Sequence, residues 1–161
     1  LNSFSKTFAM TGWRIGYILS ENPEAMAHIT KMQYYVTACS NDAMQYAVLE
    51  AMEKASDYPA KMCEEFKGRR DLICERLNAM PGVSCHIPTG AFYVFPKVDV
   101  PGMNSEEVAL ALLEGGVLCS PGSAFGEAGE GHLRFAYTIG REDISRGMDR
   151  VEKVLVELRG D

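Results

Sequence analysis

Apolar positions along this chain fall into two textures that change near residue 80. In the first, hydrophobic side chains recur at three- and four-residue spacing, which predicts amphipathic helices. Asn22-Pro23-Glu24 reads as an N-cap, a proline at the first helical position and an acidic first turn, so a helix runs from there to about Tyr35. A second helix starts near Ser40 or Asn41 and carries Met44, Ala47, Val48, Ala51 and Met52. A third begins at Tyr58-Pro59, places Met62, Phe66, Ile73 and Leu77 on one stripe, and ends before Pro81-Gly82. Ahead of these, the β-branched and aromatic run Trp13–Leu19 predicts a strand.

Beyond residue 80 the runs are shorter. Val83–Ile87 and Ala91–Val98 read as strands around a Pro88-Thr89-Gly90 turn. Asn104 with Glu107 forms a capping-box pattern for a helix over 106–114, which Gly115-Gly116 stops. Val117–Ser120 and His132–Tyr137 read as two more strands. A last helix from about Arg141 carries Ile144, Met148, Val151, Leu155 and Leu158 on one stripe with charges opposite. The expected division is therefore near residue 80, with an α/β segment over 1–80 and a smaller α+β domain over 81–161. The chain shows no internal repeat and no low-complexity tract.

Composition adds limits to this picture. Hydrophobic residues make up 47% and charged residues 24% of the 161 positions, ordinary globular values that permit a packed core. The formal charge of −6 argues against a nucleic-acid partner. The nearest thing to a basic cluster, Lys67, Arg69 and Arg70, follows Glu64 and Glu65 and reads as a solvated mixed-charge face. No apolar run approaches the ~18 residues of a membrane span. The cysteines at 39, 63, 74, 85 and 119 are odd in number and form no C-x-x-C pair. They fit reduced thiols in a cytoplasmic protein, and with His28, His86 and His132 away from them no metal site is expected. A start at Leu1, inside a motif, reads as a piece of a longer polypeptide.

The chemistry concentrates in Leu1–Tyr17. Ser3, Ser5, Lys6, Gly12, Arg14 and Gly16 stand there in close order. A lysine can form a Schiff base with an aldehyde, while hydroxyls and an arginine fork can hold a phosphate. Pyridoxal 5′-phosphate (PLP) carries both groups on one ring. Ser3-Phe4-Ser5-Lys6 followed by Gly12-Trp13-Arg14-Ile15-Gly16 resembles the lysine segment of fold type I (class I/II) PLP-dependent aminotransferases, Ser-x-Ser-Lys, a spacer, then Gly-x-Arg-x-Gly. Pro88–Phe95, Pro121–Gly126 and Gly131–Tyr137 resemble further segments of the same family.

That resemblance implies a fold and roles. Residues 1–80 would be the C-terminal end of the PLP-binding large domain with its bridging helix, and 81–161 the small domain. Lys6 would be the Schiff-base lysine and would carry the proton between substrate and cofactor. This needs a neutral amine, and so a site that desolvates it or surrounds it with positive charge. Arg14 and Ser3 would hold the cofactor phosphate, Ser5 would shape or share that site, and Gly12 and Gly16 would permit a tight turn and close backbone approach. Arg134, a charge inside an apolar strand, would clamp the substrate α-carboxylate. Trp13 and Tyr17 are expected to pack, and the aromatics of 88–95 are assigned no contact role. The parent would be a homodimer interconverting amino acids and 2-oxo acids. A PLP-dependent lyase, or an aminotransferase-like sensor domain fused to a DNA-binding module, are alternatives. The partners of the pyridine nitrogen and ring lie upstream in the family, so this chain alone is expected to be inactive and to hold PLP weakly. Residues 1–20 are expected to be disordered, rearranged or covered, because the family sheet that would receive their strand is missing.

Overall fold

The computed structural model describes residues 1–160 and divides the chain into two compact units, Leu1–Met62 and Cys63–Asp161. In the first unit, β1 (Asn2–Ser3) leads into the single-turn α1 (Phe4–Thr7), a 3₁₀ turn over Thr11–Trp13, and β2 (Gly16–Tyr17). β1 and β2 pair antiparallel, Asn2 with Tyr17 and Ser3 with Gly16. The strand expected over 13–19 is thus confined to two residues, and the opening segment folds back on itself as a small hairpin. A Cβ at Gly16 would lie 2.5 Å from the Asn2 carbonyl oxygen, so this pairing requires glycine. The position of a Cβ at Gly12 is open space, and nothing in this unit demands glycine there.

The helices α2 (Pro23–Thr37) and α3 (Asp42–Lys54) follow. Asn22 caps α2 by accepting from the Ala25 N–H at 3.0 Å, and Asn41 caps α3 by accepting from Met44 N–H at 3.3 Å. Local capping accounts for both starts. The core of this unit is Phe4, Ile15 and Val48.

The long α4 (Tyr58–Ala79) crosses the boundary between the units. The helix contributes Ile73, Cys74 and Leu77 to the core of the second unit. Arg69 and Arg70 are half-buried and are more than a solvated face. Arg69 pairs with Glu65, lies over the Phe66 ring and donates to the Thr138 carbonyl, while Arg70 donates to the Pro88 carbonyl.

In the second unit the strands pair across long sequence separations. β3 (Val83–Ser84) pairs with β5 (Lys97–Val98), whereas β4 (Tyr93–Val94) pairs with β7 (Leu133–Ala136), and β6 (Ser120–Pro121) flanks β7 on its other side. The expected strand 91–98 therefore splits. Pro96 lacks an N–H, and its carbonyl accepts from Leu133 N–H at 3.1 Å. Helix α5 (Ser105–Glu114) has the full capping box of Asn104 and Glu107. Helix α6 (Arg141–Arg159) buries Ile144, Met148, Val151 and Leu155, with Leu158 half-buried at the rim. Along β7 the side chains alternate: Leu133 and Phe135 enter the core, and Arg134 and Ala136 face the other way. Tyr137 is buried just beyond, its hydroxyl donating to the Ala91 carbonyl at 3.0 Å. Among the described residues no helix is long and apolar enough to cross a membrane.

Candidate active site

The hairpin of the first unit gathers four of the five expected site residues. Ser3 ends β1 and caps α1. Its Oγ accepts from Ser5 N–H at 3.2 Å, and its hydroxyl donates to the Ile15 carbonyl at 3.5 Å. Lys6 lies on the exposed turn of α1, three residues beyond Ser3. Arg14 sits on the opposite arm beside Ile15, whose carbonyl also accepts from Phe4 N–H at 3.2 Å. Ser3, Lys6 and Arg14 thus belong to one small hairpin motif.

Arg14 adopts a left-handed conformation, φ 53° and ψ 48°, and its guanidinium donates to the Thr11 carbonyl at 3.0 Å. For a residue with a Cβ this conformation costs roughly 1–2 kcal/mol. The turn over Thr11–Trp13 sets that backbone, and it carries the guanidinium back over the turn instead of along β2. Trp13 and Tyr17, expected to pack, are 40% and 41% exposed. Tyr17 does meet the Phe4 ring at 5.5 Å.

Arg134 belongs to the second unit and has its own surroundings. It lies on β7, the central strand of three, directly opposite Ser120 on β6. Its guanidinium donates to Ser120 Oγ at 3.2 Å. The Tyr93 ring on β4 lies 4.5 Å from its guanidinium carbon, and the Phe125 ring, from the 3₁₀ turn after β6, lies 4.6 Å away. Phe125 in turn meets Phe95 edge-on at 5.9 Å, and Phe95 stacks on His132 at 5.0 Å. Among the described residues no carboxylate lies within 4.0 Å of Arg134. A half-buried arginine held by rings and one hydroxyl has its charge unmatched and in-plane donors to spare.

The turn that carries Phe125 is fixed from below. Gly122 and Gly129 cross so closely that a Cβ on either would lie 1.9 or 2.1 Å from the other's carbonyl oxygen. Glu130 closes the loop against the start of α5. It accepts from Ser105 N–H at 2.6 Å, from Ser105 Oγ at 3.0 Å and from Gly131 N–H at 2.9 Å, while Ser105 Oγ accepts from Ser123 N–H at 3.3 Å. These bonds, the Ser105 N–H foremost, hold the Glu130 carboxyl below its ordinary range. Ser120, Tyr93, Phe125 and Glu130 were not found by sequence reasoning. Only the strand register sets the first two beside Arg134.

The family profile of aminotransferases class I and II matches residues 1–151. The chain belongs to this family. It is 41% identical over 157 residues to an aspartate aminotransferase of Pyrococcus horikoshii, covering 96% of this chain and 40% of that protein. It is 42% identical over 161 residues to aromatic-amino-acid aminotransferase 2 of Thermococcus litoralis, covering 98% and 41%. The solved structure of an aromatic aminotransferase from P. horikoshii superposes with a TM-score of 0.87 at 39% identity, again over 96% of this chain and 41% of that one. The chain therefore spans about 40% of the length of the relatives it matches, and its fold is that of fold type I aminotransferases, as expected.

Proposed function

We propose that this chain is the C-terminal part of a PLP-dependent aminotransferase, in which Lys6 is the reactive lysine and Arg134 the substrate-carboxylate clamp. The observation that carries this is the Arg134 site: a guanidinium ordered by two rings and Ser120, with no carboxylate partner among the described residues. A planar fork with free donors suits a planar carboxylate with two oxygens. The names of the relatives favour transfer of an amino group over elimination. Identity does not choose the side chain, since the aspartate and aromatic relatives stand at 41% and 42%.

The hairpin suits PLP by the chemistry of its donors. The Ser3 hydroxyl and the Arg14 guanidinium are phosphate-binding groups, and Ser5 N–H keeps the Ser3 Oγ in place. When bound, PLP supplies an electron sink for the pair left on the substrate Cα. Lys6 Nζ would be the base that takes the proton from that carbon and carries it across to the cofactor, so that the amino group is transferred rather than the substrate regenerated. Arg134 fixes the carboxylate, and with it the direction of the Cα–H bond. Residues 1–80 then belong to the large domain and 81–161 to the small one. The remainder of the site is contributed by the rest of the parent, which we read as a homodimer, and five free cysteines suit a cytoplasmic setting.

The test uses the full-length parent. Lys6→Ala should abolish turnover. Arg134→Ala should weaken amino-acid binding by roughly 10²-fold while cofactor retention stays nearly intact, and Arg14→Ala should do the reverse, because each loses a charge-assisted contact. Turnover retained by Lys6→Ala, or equal effects of both arginine variants on both ligands, would overturn the assignment.

A further inference from the structure

We infer that Tyr93 and Phe125 are positioning residues that shape Arg134 into a carboxylate receptor, an inference that rests on the reading of Arg134 given above. The sheet order is β4–β7–β6, so the two rings reach the guanidinium from opposite sides of its strand. Tyr93 pairs with Ala136, two residues along β7 from Arg134 and on the same face, which makes it the diagonal cross-strand neighbour. Phe125 arrives from beyond β6, where Ser120 stands directly opposite Arg134. Both ring centroids lie within 4.6 Å of the guanidinium carbon, inside the range of a cation–π contact.

The arrangement has a chemical consequence. All five N–H donors of a guanidinium lie in its plane, and rings lying against the group compete with acceptors that would approach out of plane. Ser120 Oγ takes one donor. The open approach is then along the remaining in-plane edge, which is how a carboxylate makes two parallel hydrogen bonds. The rings also cover part of a cation that no carboxylate among the described residues meets, so an incoming anion meets less competition from solvent. The contacts of Phe125 with Phe95, and the Gly122–Gly129 crossing beneath its turn, hold that ring in place before any ligand binds.

The experiment compares Tyr93→Leu, Phe125→Leu and Arg134→Ala with the ring-keeping variants Tyr93→Phe and Phe125→Tyr, all in the full-length parent. Losing one cation–π contact should raise the KM for amino-acid substrates roughly 3- to 30-fold and leave kcat within about threefold, because the contact acts on bound substrate and transition state alike. The ring-keeping variants should stay close to wild type. A second measurement needs no turnover. Arginine side-chain NMR of the 161-residue chain should show the Arg134 Nε–H shifted by ring currents, and moved by each leucine variant but not by the ring-keeping ones. If both leucine variants leave KM within twofold while Arg134→Ala raises it a hundredfold, the positioning role is wrong and the clamp stands. If Arg134→Ala leaves KM unchanged, the clamp itself is wrong. If a leucine variant loses kcat and KM together and its ring-keeping counterpart does too, the residue is merely structural and the inference fails.

Discussion

Two units built from similar-looking helices end up with very different interiors. Among the described residues the second unit packs twenty buried residues into one continuous core, drawn from α4, α5, α6, the strands and the segments between them. The first buries Phe4, Ile15 and Val48. The contrast is sharpest between α3 and α6, both predicted from the same kind of apolar stripe. On α6, Ile144, Met148, Val151 and Leu155 are all buried. On α3, the stripe Met44, Ala47, Val48, Ala51 and Met52 is present, yet only Val48 is buried, and Tyr46, Leu49 and Met52 stand more than half exposed. α2 buries no residue and exposes Met32, Tyr34, Tyr35 and Val36. A stripe therefore reports that a helix forms and that it wants a partner. It does not report that the partner is in the same piece of chain. Clustered exposed apolar side chains are the kind of surface through which proteins interact, and the relatives are more than twice as long as this chain.

The largest expected difference is in opening. In hydrogen exchange on the 161-residue chain, amides of α2 and α3 should exchange orders of magnitude faster than those of α5, β7, α6 and the second half of α4. Thiols give an independent reading. Cys39 and Cys63 are exposed and should be alkylated at once. Cys74 and Cys85 should wait for unfolding and the half-buried Cys119 should react slowly, since burial raises the Cys74 thiol and pushes Cys85 up to about 12 and Cys119 to about 11. Uniform protection along the chain would break the comparison.

Next comes a pair of truncations. Leu112, fully buried on α5, sits at the centre of the larger core. Leu112→Ala should cost about 3 kcal/mol, from lost transfer energy and the cavity it leaves, seen as a lowered urea midpoint. Val48→Ala should leave that midpoint in place, because the cooperative transition belongs to the second unit. Equal shifts from both would show one cooperative unit instead of two.

What could be read in advance follows the range of the interactions involved. The helix starts at Asn22, Asn41 and Asn104 were legible because a cap and the N–H that donates to it lie within three residues. The strands were found only in outline. Whether Ala91–Val98 is one strand or two depends on β7, some 40 residues downstream, and on Pro96 interrupting the run. The candidate site divides in the same way. Lys6 and Arg14 sit in a contiguous motif, and Arg134 is a charge in an apolar strand, so all three stood out. Tyr93 and Phe125 looked like ordinary aromatics, because only the antiparallel register sets Tyr93 diagonally across from Arg134. The conformation of Arg14 was not foreseen either, since it arises from the turn over Thr11–Trp13 rather than from any residue preference.

The smallest effect concerns the loop that carries Phe125, and it depends on pH. Ser105, 3% exposed, is a buried polar residue at the start of α5, and the Glu130 carboxylate accepts from both its N–H and its hydroxyl. Sitting at the first turn of α5, the carboxylate also faces the positive end of the helix. The folded state therefore favours the charged form, and the carboxyl titrates below its ordinary value of 4.5. A group depressed in this way contributes stability that is fully present above the unfolded value and is lost as pH falls through the folded one. Protonated Glu130 would have to surrender one of its acceptor positions. Glu130→Gln should accordingly be less stable than wild type at pH 7, with the gap narrowing as the pH drops below about 4.5. Other carboxylates will move the wild-type curve too, notably Glu65, held low by Arg69 and then Arg141. The difference between the two proteins isolates Glu130, since Glu65 is common to both. Urea midpoints of both across that range are the measurement, and a gap that stays constant from pH 7 to pH 3 would show that the carboxylate charge plays no part in holding the loop.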